Sequence, residues 1–214
     1  MKKPIVVGIT GGIASGKSEV TRILESQGAV VVQADKIGHQ VLEDPDVRTL
    51  LIRQFGKSII SQETNGIDRK RLADWVFGDS PPSLSRRRAL EAITHPPIRA
   101  QIHNKLNDLL NTSTATCIVL DIPLLLESGW EQSCDAVWFV DAPDELRKKR
   151  ALVRGWDEDH FRSREASQWP VEAKKAKASR IISNRGSLED LKRQVIESLL
   201  DECTKSNECW HSST

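Results

Sequence analysis

Gly11-Gly12-Ile13-Ala14-Ser15-Gly16-Lys17-Ser18 satisfies the pattern G-x-x-x-x-G-K-[ST] at every constrained position. Glycine lets the backbone take positive φ and come close to an anion. Successive N–H groups then form a concave nest for phosphate oxygens, aided by the positive end of the helix that follows. In such a loop Lys17 reaches the β- and γ-phosphates, and the Ser18 hydroxyl ligates Mg²⁺. The alternative is a plain glycine-rich turn. The setting favours phosphate binding, because Ile5-Val6-Val7-Gly8-Ile9 reads as a short buried strand and Glu19 to Gln27 as a helix.

The 214 residues suffice for a sizeable core, with Lys+Arg 31 against Asp+Glu 30 and a net charge of +1. That balance carries no general attraction for nucleic acid or an anionic membrane, so neither is expected as a partner. Cys117, Cys134, Cys203 and Cys209 show no C-x-x-C pair and read as reduced thiols. Lys2 and Lys3 precede an apolar run that is too short for a signal peptide and ends in the loop. A cytoplasmic location is expected.

Along the chain, Gly28 ends the first helix and Ala29-Val30-Val31-Val32 is a second strand, followed by Gln33-Ala34-Asp35. This βαβ unit puts the loop and Asp35 at the carboxyl ends of parallel strands, where ligands of open α/β sheets sit. Asp35 could equally cap a helix starting at Lys36. From Lys36 to Thr112 the pattern is helical. Its apolar positions include Ile37, Val41, Leu42, Val47, Leu50, Leu51, Phe55, Leu72, Trp75, Val76 and Phe77. Pro81-Pro82 is expected to break the chain, Ser83 to cap a helix through Ile93, and His95-Pro96-Pro97 to interrupt it. His95 thus reads as a helix-break residue, and Arg86-Arg87-Arg88 as a solvated helix face ahead of an anion site.

Cys117 to Asp121 is a third strand ending in an acid, the form of a metal-shell aspartate. Ala136 to Asp141 is a rival, but Ala142-Pro143-Asp144-Glu145 starts a helix there and capping accounts for Asp141. The next helices, the second capped by Asp157 and the third opened by Pro170, carry Arg147, Lys148, Lys149, Arg150, Arg154, Arg162, Arg164, Lys174, Lys175 and Lys177. These could be solvated helix faces, but their place after the fourth strand favours a lid that lowers arginines onto transferring phosphates. Arg180-Ile181-Ile182-Ser183 is a fifth strand, and Ser187 caps a final amphipathic helix. The polar tail from 204 to 214 is expected to fray.

The stretches Thr10 to Ser18, Ala34-Asp35, His95-Pro96, Asp121-Ile122-Pro123-Leu124-Leu125-Leu126-Glu127 and Asn184-Arg185-Gly186 occur in the order found in dephospho-CoA kinases. The chain resembles that family over about residues 4 to 200. The resemblance implies transfer of the ATP γ-phosphoryl group to the ribose 3′-hydroxyl of 3′-dephospho-CoA. It implies an α/β P-loop kinase fold with a five-stranded parallel sheet flanked by helices, a helical substrate lobe and a helical lid. The single domain would comprise a core (about 1–35, 113–144 and 178–201), the lobe (about 36–112) and the lid (about 145–177). Implied catalytic residues are Asp35 as base, Lys17 and Arg150, with Arg154 as a second arginine. ATP contacts would come from Gly11 through Ser18, Glu19, Arg150 and Asn184. Acceptor contacts would come from Asp35, His95, Leu124 and Glu127, and Mg²⁺ would sit on Ser18 and Asp121. A monomer or weak homo-oligomer is expected.

Three positions depart from the family pattern. Gln33 stands where a first acid is usual, Ser179 where Asp is frequent, and Arg147 where Gln is common. Two rival functions remain in view. One is another nucleoside-monophosphate or small-molecule kinase with the same core. The other is a GTP-dependent switch, whose guanine-reading Asn-Lys-x-Asp is missing: Asn104-Lys105-Leu106-Asn107 ends in the wrong residue.

Overall fold

In the computed structural model, residues 3–76 and 80–211 are described, with side chains through residue 205. Phe77 and the side chain of Cys209 lie outside them. The chain divides into two compact units, one of residues up to Gln33 and from Asp108 onward, the other Ala34–Asn107.

The larger unit is built on β1 (Ile5–Gly11), β2 (Val30–Gln33), β3 (Cys117–Asp121), β4 (Ala136–Asp141) and β5 (Arg180–Ser183). They form one parallel sheet in the order β2-β3-β1-β4-β5. Every residue of β1 is buried, as a central strand covered on both faces must be. The edge strands β2 and β5 each keep one buried residue in four, Val32 and Ile182, and are polar at their carboxyl ends. Helices α1 (Lys17–Ser26) and α9 (Leu188–His211) pack on each other and on the sheet. Val7, Ile9, Val20, Leu24, Trp138, Val140, Ile182 and Val195 form the core between them, with essentially no exposure.

Between β4 and β5 run α6 (Asp144–Val153), α7 (Glu158–Ala166) and α8 (Val171–Lys177). Asp157 caps α7 by accepting from the His160 N–H at 2.7 Å, as its position after Gly155-Trp156 predicts. Ser187 caps α9 through a reciprocal pair: its Oγ accepts from the Asp190 N–H at 3.1 Å, and Asp190 Oδ2 accepts from the Ser187 N–H at 3.3 Å. Leu191, Val195 and Leu199 anchor α9, which runs as helix to His211; residues 212–214, the end of the tail expected to fray, lie outside the described residues.

The smaller unit holds α2 (Ala34–Val41), α3 (Pro45–Phe55), α4 (Arg69–Val76) and most of α5 (Pro81–Thr112). Asp44 caps α3, accepting from the N–H groups of Asp46 and Val47, and Pro45 fills the first helical position. Ile37, Val41, Val47, Leu51, Phe55, Ile59, Leu72 and Val76 are buried.

Three local expectations fail here for identifiable reasons. Pro81-Pro82 begins α5 instead of breaking the chain, because the first turn has no N–H partners to lose. Ser80, not Ser83, caps it, its Oγ accepting from the Ser83 N–H at 3.4 Å. His95-Pro96-Pro97 does not interrupt the helix: α5 runs 32 residues through both prolines. Each internal proline forgoes one backbone hydrogen bond, a local cost that the rest of so long a helix absorbs. The arginine triplet behaves as a helix face, Arg87 pairing with Glu91 at 3.1 Å and Arg86 stacking 4.4 Å above the Trp75 ring.

Candidate active site

The loop leaves β1, the middle strand, and enters α1 through Gly16. Gly16 has φ 100° and is the N-cap of α1. A Cβ there would fall 2.1 Å from Asn184 Nδ2, so conformation and space both demand glycine. Ala14 also takes a positive φ, 56°, which is uncommon for a residue with a side chain and marks a constrained turn. Ile13, Ala14 and Ser15 are buried, and the Ser15 hydroxyl has no hydrogen-bond partner among the described residues.

The loop carbonyls are held from outside the loop. Asn184 Nδ2 donates to the Ser15 carbonyl at 2.7 Å, and Arg150 Nη1 donates to the same oxygen at 3.1 Å. Arg150 Nη2 also donates to Asn184 Oδ1 at 3.2 Å, joining α6 to the turn after β5. Lys17 Nζ lies 3.4 Å from the Gly11 carbonyl and 3.5 Å from that of Gly12. Burial first, and then the nearby Lys174 ammonium, pull the Lys17 pKa down to about 8 against the opposing pull of Asp121. Arg154 acts on both Lys17 and Arg150, so it lies within electrostatic reach of the loop.

A folded-state pKa below the unfolded value means that the unfolded chain binds more protons between pH 8 and about 10.5. Through Lys17, the ligand-free protein therefore gains stability as pH rises across that window. Nucleotide binding goes the other way, because phosphates favour the charged ammonium. We expect ATP affinity to fall above about pH 8, by up to ~10-fold per pH unit. Titrating a fluorescent nucleotide between pH 7 and 9.5 checks this, and a Lys17→Met variant should lose the dependence.

Asp121 ends β3, level with Gln33 at the end of β2. Asp141, at the end of β4, is not a cap: α6 begins at Asp144 with Pro143 in the N-cap position. Its carboxylate instead meets Arg185 at 2.5 Å and Lys175 at 3.6 Å, a pairing that occupies it structurally. Asp35 lies inside the first turn of α2, neither at a strand end nor capping a helix from Lys36. Its negative charge suits that position at a helix start. His95 is exposed within α5, and Leu124 is 39% exposed in the turn after β3. Glu19, on α1, is engaged by Arg22.

Glu127 is held more tightly than its motif suggested. Its Oε1 accepts from Lys174 Nζ at 2.7 Å and from the Trp169 N–H at 3.0 Å. Burial works to raise this carboxyl, but those two bonds, its own backbone N–H and the charge of Lys174 together outweigh it and hold it below the ordinary glutamate value. Lys174, on α8, is fully buried and also donates to Gln168 Oε1 at 2.8 Å. Glu127 therefore anchors the segment from Gln168 to Lys174 to the loop after β3. Nothing in the run Lys174-Lys175-Ala176-Lys177 singles out the buried lysine; only packing does. Arg147 is equally inconspicuous in its basic run, and it too is buried. Ser179, where the family often has Asp, both accepts from the Val137 N–H at 3.0 Å and donates to the Val137 carbonyl at 3.1 Å. An ionised Asp could make only the first of these bonds.

Ser18 and Asp121 are a hydroxyl and a carboxylate, the hard oxygen donors that Mg²⁺ takes. No cluster of three or more His, Cys, Asp or Glu that could hold a metal occurs among the described residues. No helix among the described residues is long and apolar enough to cross a membrane. Cys117, Cys134 and Cys203 are free thiols.

The sequence profile of the dephospho-CoA kinase family matches residues 5–190. A dephospho-CoA kinase of Symbiobacterium thermophilum is 40% identical over 192 residues, covering 89% of this chain and 78% of its own length. One from Shouchella clausii is 40% identical over 195 residues, covering 90% and 96%. The solved dephospho-CoA kinase of Campylobacter jejuni superposes with a TM-score of 0.66 at 29% identity, covering 92% of this chain and 96% of that one. A gluconokinase of Sinorhizobium meliloti, at TM-score 0.51 and 13% identity, shares the fold alone. With its loop, sheet order and near-full-length match, this chain belongs to the dephospho-CoA kinase family.

Proposed function

We propose that the protein transfers the γ-phosphoryl group of ATP to the ribose 3′-hydroxyl of 3′-dephospho-CoA, giving coenzyme A and ADP in the last step of coenzyme A biosynthesis. The observation that carries this reading is the loop from Gly11 to Ser18, already shaped by donors on its carbonyls, in a chain matching the family over residues 5–190.

In phosphoryl transfer the protein contributes positioning and electrostatics. Lys17 neutralises charge on the β/γ-phosphates, and Ser18 and Asp121 hold Mg²⁺, which when bound offsets charge on the transferring group. Asp35 accepts or orients the acceptor hydroxyl proton. His95 and Leu124 contact the acceptor, whereas Glu127 contributes by anchoring the lid segment through Lys174. Arg150 was expected at the transferring phosphate, but its guanidinium is engaged with Ser15 and Asn184. We therefore give Arg150 the shaping of the nucleotide loop together with Asn184, and give the phosphate contact to Arg154. The protein works in the cytoplasm, as a monomer or weak homo-oligomer.

ADP release with dephospho-CoA, AMP, adenosine and shikimate as acceptors tests the reading. Turnover is expected with dephospho-CoA and not with the others. Turnover restricted to AMP would overturn the acceptor assignment.

A further inference from the structure

The guanidinium of Arg147 is buried against the phosphate loop. Nη1 donates to the Ile13 carbonyl at 3.4 Å and to Glu165 Oε1 on α7 at 2.5 Å; Nη2 donates to Asp144 Oδ1 at the start of α6 at 2.8 Å. Its Cζ lies 5.6 Å from the Phe161 ring centroid, and a Cβ added to Gly12 would fall 2.8 Å from Nη1. One side chain therefore touches Gly12, Ile13, the first turn of α6 and the body of α7. Arg162 adds a second bridge between α6 and α7, meeting Asp144 at 3.3 Å and Glu165 at 3.2 Å.

Every peptide bond described is trans, so each C=O points opposite to the N–H of the next residue. A donor on the Ile13 carbonyl thereby turns the Ala14 N–H away from Arg147. Asn184 and Arg150, on the Ser15 carbonyl, do the same for the Gly16 N–H. Ala14 sits at φ 56°, a conformation that carries a modest cost for a residue with a Cβ. The Arg147 fork lies against the neighbouring peptide, through the Ile13 carbonyl.

We propose that Arg147 is a positioning residue for nucleotide binding: it fixes the Ile13–Ala14 peptide so that the Ala14 N–H faces the ATP phosphates. Through Glu165 and Asp144 it also ties that peptide to the packing of α7 on α6. Where the family commonly has Gln, this chain uses a charged fork, which binds two carboxylates and a carbonyl at once. The proposal rests on the loop being the ATP site.

The test compares Arg147→Met, Ala14→Gly, the two combined, Arg147→Lys and Lys17→Ala for nucleotide affinity, kcat, both KM values and ligand-free Tm. Arg147→Met should raise Kd and KM for ATP roughly ten- to fiftyfold, with KM for dephospho-CoA within about twofold and kcat at saturating ATP within about fivefold. Ala14→Gly added to Arg147→Met should recover a large part of the lost affinity, because glycine takes positive φ freely. A lowered Tm with unchanged ATP affinity would make Arg147 a brace between α6 and α7 only, overturning the proposal; so would strictly additive effects of the two substitutions. If the Met variant does not fold, Arg147→Lys, which keeps the charge and loses the fork, is judged by the same split. Unchanged nucleotide affinity in Lys17→Ala would overturn the loop assignment itself; a loss there beside normal affinity in Arg147→Met would overturn the role of Arg147 alone.

Discussion

Replacing Lys17 with alanine lowers kcat by at least ~10²–10³-fold, the scale seen when one preorganised charge-stabilising group is removed from an active site. The magnitude follows from where the ammonium sits. It lies in the cup of the loop, near the Gly11 and Gly12 carbonyls, in surroundings poor enough in water to pull its pKa to about 8. A cation held there interacts with developing charge far more strongly than one in bulk water. The fold should survive, because removing a charge whose desolvation opposes folding relieves a cost. Steady-state kinetics beside a thermal melt check this. A folded variant with near-normal kcat would remove Lys17 from the mechanism.

Asp35→Asn is the second large effect expected. If Asp35 takes the acceptor proton, kcat falls ~10²–10⁴-fold while ATP binding holds. The structure sharpens the experiment. Asp35 lies within the first turn of α2, so Asn forfeits only a favourable charge–dipole interaction of about 0.3–1 kcal/mol. Stability should therefore move by no more than about a degree or a few. With Gln33 in place of the acid usual two residues earlier, no second carboxylate stands in the Gln33-Ala34-Asp35 stretch to take over the proton. A variant keeping more than about a third of wild-type kcat, with chemistry rate-limiting, would return Asp35 to helix electrostatics.

Both are candidates that the sequence supplies, Lys17 through the loop and Asp35 through the family resemblance. Lys17 belongs to a loop in which each position has its own steric or electrostatic reason, so eight contiguous residues specify the local backbone. The strands were legible for a related cause. A parallel strand buried on both faces reads as a short apolar run, as Ile5–Ile9, Ile118–Leu120 and Val137–Val140 do. The edge strands keep short β-branched runs at Val30–Val32 and Ile181–Ile182. Their order in the sheet was not legible. The placement of β1 between β3 and β4 is decided by which helix faces bury which strand faces, a long-range matter.

Local rules misled where a residue's usual meaning was displaced by context. Pro96 and Pro97 stop isolated helices, yet α5 passes through both. Asp141 looked like a cap because a helix follows it, but Arg185 and Lys175 claim its carboxylate. By local pattern alone Arg147, Arg150 and Lys174 are alike, as members of basic runs on the helices between β4 and β5. Only the family resemblance sets Arg150 apart as catalytic and Arg147 as a departure. Folding separates them. Arg147 lies on Gly12 and Ile13, Arg150 on Ser15 and Asn184, and Lys174 is buried against Glu127. The sequence by itself determined the phosphate loop, the strands and the family, because these depend on contiguous steric requirements. Only the tertiary structure decided which cations face solvent and which brace the loop. That choice rests on carboxylates and carbonyls as far apart as Ser15 and Asn184, and no local spacing encodes it.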